Sequence, residues 1–140
     1  MSPYLDTNVL VSFFARDDFS TRAEAFLTAT RGPFIISDLT AAEFSAVIAR
    51  QVRIRERSRR EAAAIFAEFD TWCGDSAERV ALATEHVTLA DQYLRRLNLA
   101  LSAPDAIHIA VAHRSGSFLV TFDRQMAAAA RGLNLTVAAA

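Results

Sequence analysis

The sequence predicts an α/β fold with a central, mainly parallel sheet flanked by helices. Three observations point there. Short β-type runs alternate with longer stretches of helical period, and parallel strands need helical crossovers to connect them. The stretch Ser102-Ala-Pro-Asp-Ala-Ile-His-Ile-Ala-Val-Ala is apolar on nearly every face, as expected of a helix buried against a sheet. Finally, 140 residues that are 52% hydrophobic, with 4 glycines and 3 prolines, suffice for one domain spanning residues 1–140 and are too few for two ordinary ones.

Taken in order, Tyr4 and Leu5 end a short first strand, and Asn8-Val-Leu-Val-Ser-Phe-Phe starts a helix beyond Asp6. Ser20 is placed to cap a second helix whose stripe is Ala23, Phe26 and Leu27, with Gly32-Pro33 ending it. Phe34-Ile35-Ile36 reads as a strand. Ser37 or Asp38 then caps a helix carrying Ala41, Phe44, Val47 and Ile48, with Glu43 early in it. From Ser58 to about Trp72 the positions Ala62, Ile65, Phe66 and Phe69 have helical spacing, and Gly74 is the expected stop. Arg79 to Ala83 is ambiguous, and Thr88 to Leu97 is again helical. Pro104 suits the first turn of the buried helix. Ser117 to Thr121 is β-type, an alanine-rich helix follows Asp123 and runs to Gly132, and a last strand is expected near Leu135 to Val137.

Composition excludes several chemistries. All 15 basic residues are arginine, so the phosphate lysine of a P-loop, a Schiff-base amine and a Ser-Lys nucleophile are impossible. Response-regulator receivers and nucleases with a lysine beside their metal are disfavoured for the same reason. One cysteine, Cys73, permits neither an internal disulfide nor a cysteine metal cluster, and a reducing cytosol is the simplest compartment. No stretch approaches the roughly 20 apolar residues of a membrane span, so a cytoplasmic protein without membrane attachment is expected. A net charge of -1 leaves any nucleic-acid binding to local charge clusters.

In parallel α/β sheets, ligands bind beyond the carboxyl ends of the strands at the topological switch point. Four acids meet that rule. Asp6 follows the first strand, Glu43 lies on the helix after the second, Asp105 is in the first turn of the buried helix, and Asp123 sits just past the Phe118 to Thr121 strand. Singly, each also fits a turn or helix-dipole role. Together, four carboxylates at one edge repel, and the relief is protonation, arginine pairing or divalent cations. Hard oxygen ligands point to Mg²⁺ or Mn²⁺. Asp17, Asp18, Asp70, Asp75 and Asp91 lack this setting and read as surface, capping or turn residues.

The series LDTNVL, SDLTAAEFSAV, SAPDAIHIAVA and LVTFDRQM resembles the PIN domain, in particular the VapC-type toxins of toxin–antitoxin pairs, in that family's order and over nearly the whole chain. The resemblance implies an α/β/α sandwich and a metal-dependent endoribonuclease, usually a homodimer, held inactive by a cognate antitoxin. It carries the family's acidic positions onto Asp6, Glu43, Asp105 and Asp123, and its polar helper positions onto Asn8 and Thr121. On this reading Asp6, Glu43 and Asp105 hold the principal ion, Asp123 supports it or helps hold a second, and Asn8 and Thr121 orient carboxylates or water.

Other candidates are weaker. His108 falls three residues after Asp105 and is read as a packed residue, with a hydrogen bond to a carboxylate as the alternative. His86 and His113 lack zinc-ligand spacing. Cys73 beside Trp72 reads as partly buried packing, and Trp72 and the phenylalanines are core or dimer surface before they are base-stacking platforms. Arg50, Arg53, Arg55, Arg57, Arg59 and Arg60 form the one concentrated basic run, suited to RNA phosphate or an acidic antitoxin, or else a solvated connection paired with Glu56 and Glu61. Three alternatives stand beside the toxin: a housekeeping RNA-processing nuclease, a regulatory RNA-binding module without turnover, and a haloacid-dehalogenase-type phosphatase. The last expects a second aspartate where this chain has Asn8.

Overall fold

The computed structural model describes residues 1–138; the last two residues of the expected 1–140 span lie outside them. Four parallel strands form the sheet: β1 (Pro3–Leu5), β2 (Phe34–Ser37), β3 (Ala77–Val80) and β4 (Phe118–Val120), in the order β3-β2-β1-β4. Seven helices are described: α1 (Thr7–Ala15), α2 (Ser20–Ala29), α3 (Asp38–Arg53), α4 (Arg59–Ser76), α5 (Thr84–Leu94), α6 (Ala103–Arg114) and α7 (Arg124–Gly132).

The two-residue period of the strands divides the core into two layers. Leu5, Phe34, Ile36 and Val120 face one side, where α1 to α4 pack; Tyr4, Ile35 and Leu119 face the other, against α5 to α7. The first layer is aromatic at its centre. Phe44 stacks on Phe69 at 4.0 Å between centroids, and Phe14 meets Phe69 and Trp72 edge-on. The second layer is built on α6, where Ala106, Ile109, Ala110, Val111 and Ala112 are fully buried; small side chains there bring the helix close to the strands. The result is the expected α/β/α sandwich.

Four local expectations need correction. Ser20 does not cap α2: its Oγ accepts the Asp17 amide and donates to the Ser12 carbonyl, tying the start of α2 to α1. Gly74 does not stop α4, which continues to Ser76, because Gly74 sits on an open surface and Phe69 and Trp72 keep the helix packed past it. The ambiguous stretch near Arg79 contributes to β3, a half-exposed edge strand that begins at Ala77 and, among the described residues, pairs only with β2. Leu135 to Val137 makes a single parallel bridge, Leu119 to Val137, and no strand. In addition, α5 starts four residues earlier than expected.

Capping fixes how the chain turns from strand to helix. Ser37 ends β2 and caps α3 in a reciprocal box with Thr40, each side chain bonding the other's amide. Ser102 caps α6 ahead of Pro104. The sheet order places the reversal of winding direction between β1 and β4, so the loops following those strands open onto one cleft.

Candidate metal centre

Asp6, Glu43, Asp105 and Asp123 all line that cleft, a cavity of about 480 Å³ that also contains Thr7, Asn8, Phe19 and Phe122. Three of the acids sit at helix starts. Asp6 is the N-cap of α1, its Oδ1 accepting the Thr7 amide at 2.8 Å. Asp123 caps α7, its Oδ1 accepting the amides of Gln125 at 2.9 Å and Met126 at 3.0 Å. Asp105 lies in the first turn of α6, and Glu43 projects from the second turn of α3. The positive ends of α1, α6 and α7 thus offset part of the mutual repulsion, by about 0.3–1 kcal/mol for each terminus.

Thr121 is the hub between β1 and β4. Its hydroxyl donates to Asp6 Oδ2 at 2.7 Å and accepts the Asp123 amide at 3.0 Å and Asn8 Nδ2 at 3.3 Å. Asn8 Oδ1 in turn accepts the Phe122 amide at 3.3 Å. On the other side, Glu43 Oε1 accepts the Thr7 hydroxyl at 2.7 Å and a short hydrogen bond from His108 Nε2, which also lies 3.9 Å from Asp6 Oδ1. His108 Nδ1 is 2.6 Å from the Tyr4 hydroxyl.

The electrostatics divide the acids. Burial pushes the Asp6 carboxyl above the usual range and the charge of Asp105 adds to this, against the opposing effects of His108, Thr121 and Thr7. Asp105 is likewise raised by burial, with Asp123 and Glu43 repelling its charge. For Glu43, burial also pushes upward, but the hydrogen bonds from His108 and Thr7 and the electrostatic pull of the His108 N–H prevail and leave it below its ordinary value.

These residues fit a divalent cation. Asp6, Glu43 and His108 can each present one donor atom such that all three lie within 4.8 Å of one another. Among ion pairs between described residues, none joins an arginine to any of the four acids. Among the described residues two carboxylates thus converge with no arginine paired to them, and oxygen-rich sets of this kind suit Mg²⁺ or Mn²⁺. Asp105 lines the same cleft, whereas the tight trio includes His108 in its place.

His108 has the hydrogen bond to a carboxylate that its spacing left as an alternative. Thr7 and Tyr4 carry no such signal by type; only Thr7's place directly after Asp6 hints at its role. The other histidines have structural partners: His86 Nδ1 accepts the Ala83 amide at 2.9 Å, and His113 pairs with the Tyr93 hydroxyl at 2.8 Å. Cys73 is partly buried, its thiol pushed up to about 11 by burial.

The arginine run divides. Arg50, Arg53, Arg55, Arg59 and Arg60 are exposed, on the end of α3, the connection and the start of α4. Arg57 is a structural tie: Nη2 donates to the Ala15 carbonyl and Nε to Gln51 Oε1, both at 2.8 Å, and it pairs with Glu61 at 3.9 Å. No helix among the described residues is long and apolar enough to cross a membrane.

The family model described as the PIN domain matches residues 4–132. No curated protein sequence matches significantly. Among solved structures, the chain is similar to the Mycobacterium tuberculosis sarcin–ricin-loop-cleaving toxin VapC20, with a TM-score of 0.74 and 20% identity over 91% of this chain and 95% of that one. It is also similar to FitAcB from Neisseria gonorrhoeae, with a TM-score of 0.76 and 18% identity over 96% and 95%. VapBC2 from Rickettsia felis, solved bound to a promoter DNA fragment, gives a TM-score of 0.69 and 16% identity over 99% and 98%.

Proposed function

The chain belongs to the PIN-domain family, and from that premise we propose that it is a metal-dependent endoribonuclease, the toxin of a VapBC-type pair. The carrying observation is the convergence of Asp6 and Glu43, with Asp105 and Asp123 in the same cleft, at the switch point between β1 and β4. The neighbours support the toxin reading: VapC20 is a sarcin–ricin-loop-cleaving toxin, and VapBC2 bound to promoter DNA shares the fold.

Asp6, Glu43 and Asp105 would hold the principal ion, and Asp123 would support it or help hold a second. Bound there, one or two Mg²⁺ or Mn²⁺ ions supply an activated water and relief of charge on the phosphate and leaving oxygen. The chain's own polar groups do the rest. Thr121 fixes the Asp6 carboxylate through Oδ2, Asn8 links Thr121 to the Phe122 amide, and Thr7 holds Glu43. Helix α7 keeps the Asp123 carboxylate at the mouth by bonding it as a cap. The exposed arginines Arg50, Arg53, Arg55, Arg59 and Arg60 offer bidentate donors to RNA phosphates or to an acidic antitoxin. The protein works in the cytoplasm as a homodimer.

Induced expression tests this reading. The parent should arrest growth with RNA fragmentation, Asp6→Asn should do neither, and co-expression of a cognate antitoxin should relieve the arrest. Growth arrest and RNA fragments that persist in folded Asp6→Asn would overturn it. Cleavage in vitro without toxicity would leave the RNA-processing reading in its place.

A further inference from the structure

We propose that His108 is a positioning residue of the metal centre: Tyr4 locks it as the Nε2–H tautomer, and it holds the Glu43 carboxylate beside Asp6 without binding the ion. This rests on reading Asp6 and Glu43 as metal carboxylates.

The donor inventory fixes the assignment. An ionised carboxylate can only accept hydrogen bonds, so in the His108–Glu43 contact the proton belongs on Nε2. In the neutral ring Nδ1 is then an acceptor, and the Tyr4 hydroxyl, 2.6 Å away, must donate to it. That leaves the Tyr4 oxygen free to accept, and two hydroxyls face it: Ser37 Oγ at 2.8 Å and Thr40 Oγ1 at 3.3 Å. Every polar atom of this relay, from Ser37 and Thr40 through Tyr4 and His108 to Glu43, has a compatible role. The relay starts at the cap of α3, passes through β1 and α6, and returns to α3 at Glu43, so the helix carrying the ligand is tied to the sheet at two levels.

Burial makes the arrangement exacting. His108 has no exposed surface and Tyr4 none either, so neither ring can reorient towards water. At Glu43, the Thr7 hydroxyl and His108 both occupy Oε1. Among the described residues no donor meets Oε2, which stays available for a cation. Were His108 itself a ligand, Nε2 would have to surrender its hydrogen bond to Glu43 and the whole relay would reverse. The partners of a metal-binding carboxylate commonly matter by about 10- to 100-fold in metal affinity.

The test uses the full chain and Mn²⁺ alone, with no RNA. Calorimetric titration gives the affinity, and pulsed electron paramagnetic resonance reports whether a histidine nitrogen is bonded to the ion. His108→Leu should weaken Mn²⁺ binding about 10- to 100-fold, while His108→Gln, whose amide nitrogen can reach the place of Nε2, should recover to within about 5-fold of the parent. Tyr4→Phe, nearly isosteric and so safe for folding, should fall between them. The parent spectrum should show no directly bonded nitrogen. Unchanged affinity in both His108→Leu and Tyr4→Phe, a Gln variant no better than Leu, or a directly bonded nitrogen lost with His108 would each overturn the inference. A parent that binds no Mn²⁺ fails the metal reading itself, and the inference with it; a parent that binds Mn²⁺ through His108's support but cuts no RNA fails only the ribonuclease proposal.

Discussion

Replacing Thr121 with valine keeps the side chain's shape and deletes the one hydroxyl that links Asp6, Asn8 and Asp123. Thr121 is buried, so water cannot substitute for what is lost. The bond to Asp6 Oδ2, at 2.7 Å to a charged acceptor, is worth about 1.5–3 kcal/mol. The Asp123 amide loses its acceptor at a further cost of about 1 kcal/mol, and the 3.3 Å contact from Asn8 is long enough to count for little. The sum, about 2–4 kcal/mol, corresponds to a fall in Tm of about 10 °C for a chain of this size. The hydroxyl also draws the Asp6 carboxyl downward, so its loss moves Asp6 further above the usual range and weakens divalent binding at neutral pH. Urea denaturation in metal-free buffer measures the first effect and a Mn²⁺ titration the second. Thr121→Ser, which keeps the hydroxyl, should stay within about 1 kcal/mol of the parent. A Thr121→Val protein as stable as the parent would refute the hub assignment.

The arginine run should separate into two behaviours. Arg57→Ala should lose about 1–2 kcal/mol in urea denaturation through its bonds to Ala15 and Gln51. Arg59→Gln with Arg60→Gln should leave stability within about 0.5 kcal/mol, yet lower the salt slope of single-stranded RNA affinity by about 1.4; an unchanged slope removes these two from RNA binding. Phe19, 42% exposed at the mouth of the cleft, stacks on Phe122 at 5.3 Å between centroids, and Phe19→Ala should raise KM for RNA several-fold with kcat little changed. Equal KM values would exclude base contact there. Asp105 titrates above its ordinary value through burial and repulsion. A raised folded-state value means its contribution is most favourable below the ordinary value of 3.8 and is lost as pH rises through the folded one. Asp105→Asn should therefore stabilise the metal-free protein at pH 7, by under about 1 kcal/mol because the group is partly exposed, and the gain should vanish at pH 3 and shrink when Mn²⁺ is added.

Elements with one buried face were legible in the sequence, and so was the cluster of acids at the sheet edge. The β1, β2 and β4 strands are short runs of buried apolar residues, and α6 is apolar all round because the sheet and α5 enclose it. What escaped reading has a physical cause in each case. β3 is an edge strand whose central residues are Glu78 and Arg79, charges that protect an open edge and erase the apolar signal. The start of α5 has Ala83 as its cap residue, with His86 supplying the acceptor, so no Ser, Thr, Asp or Asn marks it. At the site, the acids were found by their position after strands. Thr7, Tyr4 and His108 act through hydrogen bonds that depend on tertiary packing between β1, α1, α3 and α6, so local spacing hinted only at Thr7, by its place after Asp6, and at His108, by its place after Asp105, and gave no sign of Tyr4. The arginine run looked uniform as sequence, and only the fold turned Arg57 inward to the end of α1.

The most direct test of the metal centre is the initial rate of cleavage of single-stranded RNA by the purified chain as Mn²⁺ is raised from zero, for the parent and for folded Asp6→Asn. The parent should be inactive in chelator and rise saturably with Mn²⁺, and Asp6→Asn should be slower by at least about 100-fold throughout, the loss expected when a group acting directly at a reacting centre is removed. A parent that cuts equally well in chelator, or an Asp6→Asn protein that matches it, would contradict a nuclease centre built on these carboxylates.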